Sequence, residues 1–201
     1  MGCVAPIALM ELLIMATTTH LSEQAYRELA SSDPDHLWEL WDGVPVEKPL
    51  MSVMHDDVAF HLGHLLQSQL DRNVFRVNVN GGKTRYTTRN YFIPDVAVIP
   101  AALALPLRGD PGAFNAFAEP LPLVVEIWSR TTGDYDIAAK LPVYRARGDL
   151  EIWFIQPYER TLTAWRKEPD SAYAEAIYRG GVVPVASLPG VTIDLDALLD
   201  G

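Results

Sequence analysis

Two acids stand in segments that otherwise read as buried strands. Ile93-Pro94-Asp95-Val96-Ala97-Val98-Ile99 and Leu123-Val124-Val125-Glu126-Ile127-Trp128 are apolar on both alternating faces except at Asp95 and Glu126. An ionised carboxylate in such surroundings is costly unless a cation meets it. Two in one sheet raise each other's pKa unless a divalent ion lies between them, and hard oxygen ligands of this kind suit Mg²⁺ or Mn²⁺. For either acid taken alone, the competing reading is a strand end where it meets solvent or an arginine. Further on, Asp136 and Lys140 follow with i, i+4 spacing. On a helix that spacing gives either a surface ion pair worth a few tenths of a kcal/mol or a lysine whose amine points back over the sheet toward Glu126.

The elements that must position these groups can be read from periodicity and turn residues. Ser22 is an N-cap for a short helix through about Ala30. The segment HLWELWDGVPVEK reads as strand, Asp42-Gly43 turn, strand. From His55 to Asp71, Val58, Leu62, Leu65, Leu66 and Leu70 fall on one helical stripe. Val74 to Asn80 alternates as a strand, Gly81-Gly82 turns the chain, and Lys83 to Arg89 is a polar strand. Ile93–Ile99 and Leu123–Trp128 are predicted as buried strands, joined by a long surface connection over Pro100–Pro122. A helix is expected from about Asp134 to a C′ glycine at Gly148, with Pro142 a defect inside it. Strands follow at Glu151–Gln156, Thr161–Arg166 and Tyr173–Tyr178, and a short helix near Asp194–Leu199. Strands outnumber helices, which makes the class α+β.

The 201 residues carry 26 Asp and Glu against 16 Lys and Arg, a formal net charge of −10. That balance argues against a protein that coats nucleic acid by bulk charge. It leaves room for one that gathers a few cations on one face. Arg72, Arg76, Lys83, Arg85, Arg89 and Arg130, with Tyr86, Tyr91 and Phe92 interleaved, are the candidates for a DNA-contacting face, a solvated edge being the other reading. Cys3 is the single cysteine, so a reducing, cytoplasmic compartment fits. No apolar run reaches the roughly 18 to 20 residues of a membrane helix. Met1–Met15 is apolar and lacks Lys or Arg. Residues 1–20 read as an N-terminal extension with Met15 an alternative start, or as a buried first helix; residues 21–201 read as one domain. His55, His61 and His64 share a helix, but a zinc site needs a further Cys or His from elsewhere. Exposed edge strands and apolar late hairpins lead to the expectation of a homodimer.

PDVAVI, then LVVEIWSRTTGDYDIAAKLPVYRARGDLEIWFIQP, resembles the restriction endonuclease family of the Uma type, within the PD-(D/E)xK nuclease superfamily. Upstream, WELWDGVPVEKPLMS followed by His55 is similar to the family's Glu-Leu-x-x-Gly segment and histidine-started helix; downstream, SLPGVTIDLDALL is similar to its closing segment. The resemblance runs from about Leu21 to Leu199. It implies a restriction-endonuclease-like core, a mixed β-sheet flanked by helices with extra N- and C-terminal strands. It also implies that Asp95 and Glu126 ligate Mg²⁺ or Mn²⁺, and that Lys140 acts on water or phosphate. Glu39 would complete the catalytic set, and His55, Asp136 and Tyr144 would support it. The superfamily lysine normally stands two residues after the glutamate, where this chain has Trp128. Arg130 replaces a proline of the family pattern, and Pro142 departs from it between Lys140 and Tyr144. The implied activity is metal-dependent hydrolysis of DNA phosphodiester bonds by an endonuclease. A catalytically silent nuclease-fold protein acting by binding or assembly, and a hydrolase of another phosphate ester, are the alternatives.

Overall fold

The computed structural model describes residues 20–49, 51–130 and 133–200. The expected extension over residues 1–20 therefore lies, apart from His20, outside the described residues. Ser22 accepts from the Ala25 amide at 3.1 Å and starts α1 (Glu23–Ser32). The hairpin β1 (Leu37–Trp41) and β2 (Val44–Lys48) turns on Asp42 and Gly43, with φ of 48° and 86°. Two positive φ values in a two-residue loop are what an Asp-Gly pair allows. Ser52 caps α2 (Val53–Gln69), which begins two residues before the expected start. Then come β3 (Phe75–Val79), β4 (Lys83–Thr87), β5 (Asn90–Phe92), β6 (Val96–Pro100), α3 (Ala101–Ala104), β7 (Ala116–Phe117) and β8 (Leu123–Ile127). One helical run follows: α4 (Gly133–Tyr135), a π-helical turn Asp136–Lys140, and α5 (Leu141–Arg147). Strands β9 (Glu151–Gln156), β10 (Thr161–Lys167), β11 (Tyr173–Tyr178), β12 (Val182–Pro184) and β13 (Thr192–Asp194) lead to α6 (Leu195–Asp200).

The strands form a mixed six-stranded sheet ordered β11-β10-β9-β8-β6-β3, a five-stranded sheet ordered β2-β1-β5-β4-β7, and the pair β12-β13. Within the large sheet β8 and β9 are parallel and the other neighbours antiparallel. Period-two alternation divides its side chains. Val96, Val98, Leu123, Val125 and Ile127 pack with Val58, Leu62 and Leu66 of α2. Ala97, Ile99 and Val124 pack on the opposite face with Tyr144 of α5 and with Phe92. The parity that sends Val124 to the α5 face sends Glu126 there too, while Asp95, just before β6, also meets His55 of α2. The architecture is α+β, with mixed sheets flanked by helices.

Two expectations are corrected. The run Ile93–Ile99 is not one strand. Its ladder begins only at Val96, because Pro94 has no N–H to donate, and Ile93-Pro94-Asp95 crosses from the small sheet to the large one. The connection 100–122 is not wholly a surface loop: α3 opens it, β7 pairs in parallel with β4, and Phe117 and Leu121 are buried. Pro142 lies in the first turn of α5, just after the π turn. The Leu141 N–H there donates to the Asp136 carbonyl five residues back, and this wide turn admits the proline without breaking the run. Gly148 (φ 83°) ends the helix, as expected of a left-handed C′ residue.

Candidate active site

Asp95, just before β6, and Glu126, in β8, sit on adjacent strands and line one cavity of about 360 Å³. Glu39 from β1, Asp136 and Lys140 from the helical run, and Lys48 at the end of β2 line the same cavity. All six side chains are buried, and Asp95, Glu39, Glu126 and Lys140 are at most 3% exposed, so none can rely on water for its partner.

Lys140 is the hub. Its Nζ lies 3.0 Å from Glu39 Oε1, 3.2 Å from Glu126 Oε2 and 3.0 Å from Asp136 Oδ1. The i, i+4 pair with Asp136 is thus buried and aimed at the sheet, not a surface bridge. Tyr144, one turn on, donates to Glu126 Oε1 at 2.5 Å. Asp95 has a separate set of partners. Lys48 Nζ is 2.7 Å from its Oδ1, His55 Nε2 is 3.0 Å from its Oδ2, and the Ile127 amide donates to Oδ2 at 2.6 Å. These side chains also serve the crossing segment. The Ile93 amide donates to Glu39 Oε1 at 2.7 Å, and Lys48 donates to the Ile93 carbonyl at 2.8 Å and to Asn80 Oδ1 at 2.9 Å. The backbone groups freed where the strand breaks are therefore satisfied by the site itself.

The electrostatics follow from burial and neighbours. Burial pushes the Asp95 carboxyl up, but Lys48 and His55 outweigh it and hold it below the usual carboxylate range. Glu126 is driven well above its ordinary value by burial, against the pull of Lys140 and with the push of Asp136 and Asp95. Asp136 is raised for the same first reason. Burial disfavours the Lys140 ammonium, yet Glu126, Glu39 and Asp136 hold its pKa well above ordinary. Lys140 is therefore a fixed positive charge and hydrogen-bond donor, not a base near neutral pH. Among the buried groups of the lining four carboxylates face two ammonium groups, a formal surplus of two negative charges, and the exposed Glu47 is a fifth carboxylate of the same cavity.

The donor set fits a hard divalent cation. It is all oxygen, it comes from separate elements, and the formal charge surplus of its buried groups equals that of one such ion. Asp95 Oδ1 and Asp136 Oδ1 are fully buried and take no well-directed hydrogen bond, only ionic contact with a lysine. At the same time, among the described residues no three His, Cys, Asp or Glu groups are already arranged around a point as metal ligands.

The sequence reading named Asp95, Glu126, Lys140, Glu39, His55, Asp136 and Tyr144, and the fold brings all seven together. It missed Lys48 and Tyr135, both in the cavity lining. Lys48 shares the parity of Val46 on β2, which also lines the cavity, and a second buried cation was called for once four acids were placed against one lysine. The six cations proposed for a DNA face are not gathered. Arg85 pairs with Glu23 at 3.3 Å, Arg89 with Asp42 at 3.0 Å, and the Lys83 ammonium lies 5.4 Å from the Phe114 ring centre. Arg130 is exposed after β8, and only Arg72 and Arg76 share a cavity, a different one. Trp128, at the usual lysine position, stacks edge-on with Tyr158, their centroids 5.8 Å apart.

Among curated proteins none matches the chain. A crystal structure from Anabaena variabilis ATCC 29413, described as a "putative nuclease belonging to DUF820", is similar in fold, with a TM-score of 0.73 over 90% of this chain and 98% of that one, at 16% identity. The fold is accordingly restriction-endonuclease-like. Residues 23–196 match the Uma2 family, described as "Putative restriction endonuclease", and with most of its length so matched the chain belongs to that family.

Proposed function

We propose that the chain is a divalent-metal-dependent endonuclease that hydrolyses DNA phosphodiester bonds in the carboxylate cavity. The observation that carries the reading is the meeting of Asp95, Glu126 and Lys140, from three elements, in one buried site with an excess of negative charge. Asp95 and Glu126 would hold Mg²⁺ or Mn²⁺, with Glu39 and Asp136 within the same cluster. The ion, when bound, supplies Lewis acidity toward the phosphate and an acidified water.

The chain's own groups do the rest. Lys140, kept charged by its acidic neighbours, donates to a phosphate oxygen or orients the attacking water, and stabilises charge that develops in the transition state. Tyr144 fixes the Glu126 carboxylate through Oε1, leaving Oε2 toward Lys140. Lys48 and His55 fix Asp95. These supports keep the acids in place against their mutual repulsion, which is the preorganisation such a site needs.

One observation favours a second reading, a catalytically silent member that acts by binding or assembly. The two lysines already give each of the four buried acids a direct cationic neighbour, as a purely structural network would. Plasmid nicking at low salt with Mn²⁺ separates the two. The nuclease reading expects nicking by native protein and none by Glu126→Gln. A folded native protein that binds Mn²⁺ and leaves the plasmid intact would establish the silent reading. The setting we attach to the proposal is a cytoplasmic homodimer. β3 and β11 are the edges of the large sheet, and light scattering reads the subunit number directly. No helix of the described residues is long and apolar enough to cross a membrane.

A further inference from the structure

A second cavity, of about 370 Å³, lies between the end of α2, the edge strand β3 and the connection that follows α3. Arg72, Arg76 and Arg108 line it, with the side-chain amides of Asn78 and Asn115. Most other arginines are engaged. Arg27 and Arg85 meet Glu23, Arg89 meets Asp42, Arg147 meets Asp149, Arg160 meets Asp196 and Asp200, and Arg166 meets Glu151. Arg145 lies over the rings of Trp165 and Tyr173. Among the described residues, Arg72, Arg76 and Arg108 have no such partner. The one carboxylate of the lining, Asp110, accepts from the Gly112 amide at 2.8 Å within its own turn. In a chain with ten surplus negative charges, three unpaired guanidinium groups around one cavity are out of keeping with the rest of the surface. Guanidinium forks match the oxygens of a phosphate and hold it bidentately.

β3 ties this cavity to the carboxylate site. Asn78 lines the arginine cavity, and Asn80, two residues along, holds Lys48 at 2.9 Å beside Asp95. The two asparagines are about 7 Å apart along the chain, comparable to the axial advance of about two nucleotides on one strand of a duplex. We propose that the Arg72–Arg76–Arg108 cavity seats a backbone phosphate of the DNA strand whose cleaved bond, about two nucleotides along, enters the carboxylate site. This rests on the nuclease reading above, and names where the substrate is held.

The test measures binding of a fluorescein-labelled 20-base-pair duplex by anisotropy, in EDTA and over a range of KCl. The proteins are the native chain, Arg72→Gln, Arg76→Gln, Arg108→Gln, the triple variant, and Arg179→Gln, an exposed arginine outside the cavity. The triple variant is expected to bind at least tenfold more weakly, and its log K against log salt slope to flatten by about one, the mark of one phosphate no longer neutralised. Each single variant should weaken binding more than the charge-matched Arg179→Gln. Single variants equal to Arg179→Gln overturn the proposal, even if the triple variant fails to fold. So does a native chain that binds no duplex. A parallel melting series with inorganic phosphate against KCl of equal ionic strength distinguishes the source. Arginine-dependent stabilisation by phosphate with unchanged duplex affinity would assign the cavity to a free phosphate and overturn the DNA assignment. Plasmid nicking by a native chain whose duplex binding ignores the three arginines would sink this inference alone, whereas arginine-dependent binding without nicking would sink the nuclease reading alone.

Discussion

Two buried charge clusters lie on opposite ends of the same helical run, and they are built on different plans. At its C-terminal end Arg147 meets Asp149 at 3.0 Å and donates to the carbonyls of Arg85, Phe117 and Glu119. Asp149 in turn accepts from the Leu121 amide at 2.7 Å. One cation faces one anion, and the remaining donors go to backbone. At the other end Lys140 is shared by three carboxylates, Lys48 serves a fourth, and the group opens on a cavity. The first cluster is balanced and pins β4 and β7 to the helix. The second is unbalanced and preorganised. That surplus of charge is what our proposal rests on in assigning the chemistry to the carboxylate cavity.

Removing Lys140 should produce the largest separation between the two ends. Lys140→Ala is expected to reduce Mn²⁺-dependent nicking by about 10²- to 10³-fold, the usual cost of losing one donor aimed at developing charge. Arg147→Lys, which keeps a charge at the balanced end, should change nicking by less than about threefold once the protein is folded. Equal losses in the two variants, measured as initial rates on supercoiled plasmid, would mean that the clusters do not differ in function.

Stability should respond the other way round. Arg147→Met leaves Asp149 and several carbonyls buried without their donor, a defect worth about 3 to 5 kcal/mol. At about 2 to 4 °C per kcal/mol for a chain of this size, the melting temperature should fall by roughly 6 to 20 °C. Glu126→Gln keeps the shape and replaces a carboxyl whose charged form burial already disfavours, so its melting temperature should change by only a few degrees. A drop of under about 2 °C for Arg147→Met would show that the balanced cluster is not the structural pin.

Metal sharpens the comparison further. Removing a divalent ion restores the repulsion among Glu126, Asp136 and Asp95, and adding it relieves that repulsion. A ligand at 100 times its dissociation constant stabilises by about 2.7 kcal/mol, so Mn²⁺ should raise the native melting temperature by roughly 5 to 10 °C. Asp95→Asn should lose most of the shift and Arg147→Met should keep it. An unchanged native curve at millimolar Mn²⁺ would remove the cation from the proposal.

Much of this contrast was legible in the sequence, unevenly. Asp95 and Glu126 stood out because charge is costly where both alternating faces of a segment are apolar; only the structure decides that they share one side. Asp136 and Lys140 were visible by helical spacing, and Tyr144, Glu39 and His55 through the family resemblance. Lys48 was not, because a lysine at the end of a half-exposed hairpin strand looks like any solvated one; only the sheet-to-sheet crossing at Ile93–Asp95 brings it to Asp95. Arg147 and Asp149 were equally silent, since their partners lie on β4, β7 and the loop before β8. The π turn depends on an interplay of Pro142 with burial that periodicity does not encode. The scattering of Lys83, Arg85 and Arg89 was hidden for a related reason: their partners Glu23, Asp42 and Phe114 are far away in sequence.

The smallest expected effect is in the pH dependence of stability, and its sign separates the raised acids from Asp95 and Lys140. Glu126 and Asp136 have folded-state pKa values above ordinary, chiefly through burial. Between the ordinary carboxylate value near 4.3 and the raised one, the folded chain binds more protons than the unfolded chain, so stability falls as pH rises through that window. Asp95, held low by Lys48 and His55 against its burial, acts oppositely. Its contribution is present above the ordinary value and is lost only as pH drops below it. Lys140, held high by Glu126, Glu39 and Asp136, loses its contribution only in alkali. Urea unfolding between pH 5 and 8 reads the raised acids together with the histidines, His36 among them, whose pKa Asp33 raises. Each proton that the fold alone retains gives a slope of about 1.4 kcal/mol per pH unit. Burial also raises Asp149, so the readout is the difference between native protein and Glu126→Gln. The native chain should lose stability with rising pH more steeply than the variant, by up to that slope. Saturating Mn²⁺, which takes the place of the retained protons, should bring the two lines together. Parallel lines without metal would mean that Glu126 is already ionised and fully compensated, which would erase the electrostatic difference between the two ends of the helical run.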